Sequence, residues 1–324
     1  MSLYPLKFTP ILKDKIWGGT KLKSLFGKQA ETDKLGESWE LSGYEGDISV
    51  VSNGYLAGNN LEELIEVYMG DLLGDKVYDQ HGLTFPLLFK LIDANENLSI
   101  QVHPNDEVAA ERHNSYGKTE MWYVIDADPD GALIIGFKED CTQENYLKAV
   151  EEGVLEDLLQ TIKVTKGDVL FIPAGLVHAI GKGVVLAEIQ QTSDLTYRIY
   201  DYKRVDDQGK ERDLHTDEAI DVIDYQASKN PKTPYLAVLN ELTPLVTCEY
   251  FTTNLIRMNE QLTRNYGLLD SFVAYMCVEG DFDITCEGEN TSVSKGDTVL
   301  IPACMQEVHL TPKGEATLLE VYVG

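Results

Sequence analysis

The chain has 324 residues, 43% of them hydrophobic, enough to bury one large core or two medium ones. Its formal net charge of −27 repels nucleic acid and anionic membrane surfaces, so neither is expected as a partner, and an anionic substrate needs a local pocket of positive charge. Five scattered cysteines without a CxxC pair, a start (MSLYPLKFTPILKDKIWGG) without an apolar core, and the lack of any apolar run of membrane-spanning length predict a reduced, cytoplasmic protein.

In chain order, NLEELIEVYMGDLLG at 60–74 spaces its apolar residues by three and four and predicts a helix capped by Asn60. FPLLFKLIDA at 85–94 predicts a buried strand leading into LSIQVHP, where Gln101 and His103, two apart, share a strand face. TEMWYVIDA at 119–127 reads as a strand that ends in the turn Asp-Pro-Asp-Gly at 128–131 before ALIIGF. A second helix is predicted over 142–160 with Thr142 as its cap, and a third over 215–225 capped by Thr216. The two prolines and two lysines of SKNPKTPYLAV, at 228–238, mark a domain boundary. The expected division is a metal-binding domain over 1–230 with small helical insertions and a degenerate domain over 231–324.

Two stretches resemble each other. VTKGDVLFIPAGLVHAI at 164–180 and VSKGDTVLIPACMQEVHL at 293–310 share Lys-Gly-Asp and Ile-Pro-Ala at an offset of 129. Each reads as a turn, a short apolar strand and a corner closed by proline. A repeated β-module of this kind predicts a mostly β chain built as two related barrels with a few peripheral helices. At that offset His178 of the first copy meets Glu307 of the second, so whatever His178 does is expected to be lost there.

Inward-facing residues of neighbouring strands in a small β-barrel converge on one point. Gln101, His103, Glu120 and His178 lie on or beside predicted strands of the first half. Two imidazoles and a carboxylate form a common set of ligands for a catalytic zinc with an open position, and a glutamine adds a neutral oxygen. The residual positive charge can polarise a carbonyl or alkoxide. By contrast, His81, His113 and His309 read as surface residues, His215 as a helix cap, and Trp17 and Trp39 as packing.

Six motifs carry a specific resemblance: IWGG (16–19), GESWELS (36–42), FPLLFKLIDANENLSIQVHPND (85–106), GKTEMWYV (117–124), IPAGLVHAIG (172–181) and SDLTYRIYDYKR (193–204). In this order, and as far as about residue 225, the chain resembles type I mannose-6-phosphate isomerases in their short bacterial form. The resemblance implies a pair of cupin (jelly-roll) barrels and one Zn2+ per chain, bound by Gln101, His103, Glu120 and His178. It places the family's arginine beside the sugar at Arg198, its aspartate at Asp194 and the lysine before the glutamate ligand at Lys118. The long forms carry an extra helical domain, for which the 57 residues between Glu120 and His178 leave little room.

The implied reaction interconverts mannose 6-phosphate and fructose 6-phosphate. An enediolate needs an electrophile at its oxygens, for which zinc and Arg198 suit, and a base that reaches the carbon-bound proton. Asp194, Lys118 and a metal-bound water are all open as that base. Lys118 and Arg198, then Lys90, are the cations expected to meet the phosphate, while Arg204 reads as an ion-pair residue. Two rival readings are a non-catalytic sugar-phosphate-binding cupin and a metal-dependent oxygenase. Oxygenase chemistry favours redox iron and often three histidines, which Gln101 and Glu120 fit less well.

Overall fold

A computed structural model describes residues 3–205 and 208–324 of the chain. The fold is mostly β-sheet with short helices. It divides into two compact units, each drawn from separated stretches. One takes Met1–Ile11, Ser38–Lys90 and Pro234–Gly324, and the other takes Leu12–Glu37 and Leu91–Thr233.

In the second of these, a five-stranded antiparallel sheet runs in the order Tyr197–Tyr200, Ile100–Val102, His178–Ile180, Ala132–Phe137, Leu159–Lys163. Strand alternation sorts its side chains onto two faces. Ile100, Val102, Ala179, Tyr197 and Ile199 point outward into a cluster with Tyr146, Leu155 and Ala219 of the covering helices Gln143–Glu152, Leu155–Leu158 and Thr216–Ile220. Leu133, Ile135 and Ile180 point the other way and pack with Trp122, Val124, Leu170, Ile172 and Leu186. These come from Glu120–Ala127, Val169–Ile172 and Val184–Gln191, neighbours in a six-stranded sheet. The apolar residues of each strand thus secure the layers, and the alternate positions 101, 178 and 198 are left on the inner face.

The unit containing Pro234–Gly324 holds a seven-stranded and a four-stranded sheet. It carries the second copy of the repeated stretch, and the two turns close alike. Gly167 and Gly296 have φ of 91° and 90°, a left-handed region open to glycine. Asp168 accepts from Thr165 N at 2.8 Å, and Asp297 from Ser294 N at 2.9 Å.

The helices differ from the sequence expectation in several places, helices at Lys21–Phe26 and Asp75–His81 being among those not expected. Asn60 and Thr142 do cap, accepting from Glu63 N and Asn145 N. The stretch 142–160, however, is two helices, because Gly153 adopts φ 71° and ends the first as its C-cap. Thr216 is the first helical residue and no cap: the preceding His215 holds that position without a side-chain cap bond. A helix at Asp106–His113 was not expected, although Asn105 caps it by accepting from Val108 N at 3.0 Å. Among the described residues, no helix is long and apolar enough to cross a membrane.

Candidate metal centre

Register brings the site together. His178 and Arg198 both lie opposite Gln101, one on each side of the short strand Ile100–Val102, so the three side chains share a face. His103 stands one residue past that strand, where its carbonyl accepts from Gly175 N at 2.9 Å. Glu120 opens its own strand opposite Ile172 and Gln190. His103, Glu120 and His178 are 1%, 0% and 0% exposed, and each has a ligand atom within 4.8 Å of the others'.

The backbone sets how these groups face one another. His103 Nδ1 is 2.9 Å from the Leu195 carbonyl, and His178 Nδ1 is 2.8 Å from that of Leu176. A carbonyl can only accept, so both Nδ1 atoms carry the proton and both Nε2 lone pairs face inward. Those Nε2 atoms lie 3.8 Å and 3.4 Å from Glu120 oxygens. Burial, against the opposing Leu176 hydrogen bond and with a smaller push from the charge of Lys118, brings the His178 pKa down to about 4. Gln101 places Nε2 at 3.3 Å from His178 Nε2; its amide oxygen and nitrogen exchange by a half-turn.

Lys118, 3% exposed, bridges the group. Its Nζ is 2.8 Å from Glu120 Oε2, 3.2 Å from His103 Nε2 and 4.0 Å from Glu188 Oε1. Even so, neither Glu120 oxygen has a partner with hydrogen-bond geometry, the lysine being an ion pair by distance alone. A fully buried carboxylate in that condition, facing two unprotonated imidazole nitrogens, is a donor set matched to a cation.

Arg198 is half-buried; its Nη1 donates to the Asp213 carbonyl at 2.9 Å, and its Nε is buried without a partner. Asp194 lies outside the cluster, exposed on the segment between Val184–Gln191 and Tyr197–Tyr200. Lys90 is 2% exposed, with Nζ 4.9 Å over the Trp39 ring. Arg204 is committed to Asp201 and to the Asn97 carbonyl. A cavity of about 350 Å³ lined by Val150, Ile199, Tyr200, Asp201 and Leu214 includes none of the proposed ligands, Lys118, Asp194 or Arg198 in its lining.

Glu188 escaped the sequence reading. It is 3% exposed and accepts from Trp122 Nε1 at 2.9 Å while facing Lys118. Its signal was a lone carboxylate inside the apolar run VVLAEI, which marks a buried charge with a partner.

The fold and this cluster define a β-sheet protein with a possible metal site of two histidines and a glutamate. Comparison narrows the class. Residues 5–141 match the model of the phosphomannose isomerase type I catalytic domain, and residues 241–323 match the mannose-6-phosphate isomerase cupin domain. The chain is 37% identical over 316 residues to the mannose-6-phosphate isomerase ManA of Bacillus subtilis (strain 168), covering 96% of each chain. It is also 37% identical over 299 residues to the mannose-6-phosphate isomerase of Streptococcus mutans, covering 92% of each. The crystal structure of the Bacillus subtilis mannose 6-phosphate isomerase superposes with a TM-score of 0.87 at 32% identity, covering 99% of this chain and 100% of that one. The chain belongs to the type I phosphomannose isomerase family.

Proposed function

We propose that the protein interconverts mannose 6-phosphate and fructose 6-phosphate through an enediolate, using one zinc ion per chain held by Gln101, His103, Glu120 and His178. The observation that carries this reading is the Glu120 carboxylate, buried and without a hydrogen-bond partner between two imidazoles whose Nδ1 protons are spent on backbone carbonyls. A zinc ion bound there supplies Lewis-acid polarisation of a substrate oxygen. The chain's own residues do the rest. The unpartnered Nε of Arg198 is a donor for an oxygen that gains charge as the enediolate forms. Lys118 stands beside the ligands, where its ammonium donates to a substrate oxygen or, as an amine, takes the carbon-bound proton. Asp194 is the other candidate base. Its exposed position would have to be closed by substrate, so the reading favours Lys118.

The metal is assigned to the segment 91–233 alone. In the other copy, register sets Asn265 opposite Glu307 as Gln101 is set opposite His178. Counting along each strand from these pairs and from the matched turns puts Gly267 at the place of His103 and Val273 at that of Glu120. This supports a degenerate C-terminal cupin. All five cysteines are free thiols, which suits a cytoplasmic location.

The test is metal analysis joined to a coupled assay for fructose 6-phosphate. One zinc per chain, loss of turnover on chelation and recovery on adding zinc are expected. Full turnover by metal-stripped protein overturns the zinc role, and no fructose 6-phosphate from the zinc-loaded protein overturns the reaction.

A further inference from the structure

Among the described residues, the strand Tyr197–Tyr200 is the edge of its sheet, paired only with Ile100–Val102. In an antiparallel strand the N–H and C=O of one residue point to the same side. At Arg198 both point away from the sheet, to His215. The Arg198 N–H donates to His215 Nδ1 at 3.0 Å, and the His215 N–H donates to the Arg198 carbonyl at 2.8 Å. The imidazole nitrogen thus takes the place that the carbonyl of a further strand would fill. Two residues earlier, the Asp213 carbonyl accepts from Arg198 Nη1 at 2.9 Å. One short segment therefore holds both the backbone and the fork of Arg198. Because Nδ1 accepts, the proton of the neutral ring is on Nε2.

We propose that His215 is a positioning residue for Arg198: its Nδ1 closes the open edge of the strand and fixes the arginine's Cα, so that the guanidinium is aimed before substrate arrives. The inference rests on the electrophilic role given above to Arg198. His215 holds the N-cap position of the helix Thr216–Ile220 without a side-chain cap bond, so its side-chain bond to Arg198 plays no part in capping that helix. Tyr197, whose ring centroid is 6.3 Å from that of His215, faces the outer cluster and leaves Arg198 as the inner-facing residue the clamp serves. A side chain aimed at a reacting atom tolerates little displacement: misplacement by about 1 Å costs on the order of 100-fold in rate.

The test uses the zinc-loaded full chain. His215→Phe keeps a ring beside Tyr197 and removes both nitrogens; His215→Asn keeps an oxygen near the position of Nδ1. We expect His215→Phe to lower kcat by about 10- to 100-fold with a smaller change in KM, and His215→Asn to restore most of that loss. Zinc content and thermal midpoint, measured for each variant, separate positioning from damage to the fold. On an Arg198→Ala background His215→Phe is expected to add nothing, since both act through one side chain. Equal losses in the Phe and Asn variants, unchanged kcat in His215→Phe, or a full additional loss on the Arg198→Ala background would overturn the inference while leaving the role of Arg198 standing. Unchanged turnover in Arg198→Ala would remove the role of Arg198 itself.

Discussion

Two regions of this molecule share a turn, a strand and a corner, yet among the described residues only one of them gathers two histidines and a glutamate that could hold a metal ion. The Asp168 carbonyl accepts from Val124 N at 2.9 Å, and that of Asp297 accepts from Cys277 N at the same distance. Counting two residues back from each gives Trp122 and Tyr275, and across the neighbouring strand these face Glu188 and Glu320. Both copies therefore bury a glutamate at the same node. In the first, Glu188 accepts from Trp122 and lies 4.0 Å from Lys118, which is also 2.8 Å from Glu120. In the second, Glu320 is enclosed by Arg264 at 2.9 and 3.1 Å, by the Tyr266 hydroxyl at 2.5 Å and by Asn254 at 3.2 Å. Burial alone would push the Arg264 charge off, and Glu320 more than offsets it. A buried carboxylate needs a counter-charge, and the chain meets that need in two ways: a fixed guanidinium in one copy, a lysine and a place for a cation in the other.

The largest effect should come from removing the Glu120 carboxylate, which lacks a hydrogen-bond partner. Glu120→Ala is expected to lose both bound zinc and turnover, read by elemental analysis and the coupled assay; a variant that kept its metal would break the contrast between the copies. Next, Glu320→Ala strands the Arg264 charge and should cost about 3–5 kcal/mol of stability in denaturant unfolding. Glu188→Ala, which mainly frees the Trp122 N–H, should cost about 1–3 kcal/mol. The reverse order would show that the first copy is the more tightly locked.

A smaller effect follows from His178. Its pKa in the fold is about 4, below the unfolded value near 6.5, so the unfolded chain takes up the proton first. The metal-free protein should therefore lose stability as pH falls from about 6.5 to about 4, by at most about 3 kcal/mol from this group. Unfolding curves across that range check this, and His178→Gln should flatten the dependence. The smallest expected effect is none at all. Glu307→His restores the repeat's missing imidazole, but Gly267 and Val273 bring no ligands, so zinc content should not rise. A second equivalent of zinc would sink the register argument.

Much of this was legible locally. The Lys-Gly-Asp turns, the Asn60 and Thr142 caps and the alternation that puts Gln101 and His103 on one face depend on neighbours a few residues away. Their signals survive in one dimension. The break at Gly153 was a glycine whose φ becomes known only in the folded chain. Glu188 was missed because its partners, Trp122 and Lys118, lie more than sixty residues upstream. The role of His215 was hidden for another reason: a helix-start residue and a strand-edge clamp look alike in sequence.

What the sequence by itself determined was the inventory: which side chains can carry charge or bind a cation, where strands alternate, and that two copies of one β-module exist. Tertiary structure alone decided which buried carboxylate lacks a hydrogen-bond partner and which carbonyls, those of Leu176 and Leu195, orient the imidazoles. It also decided that the terminal stretch Pro234–Gly324 forms its compact unit with Met1–Ile11 and Ser38–Lys90. The reason is physical. Main-chain acceptors are the same at every residue, and pairing across distances such as the 77 residues from Gln101 to His178 is set by strand register and core packing, which no local signal encodes.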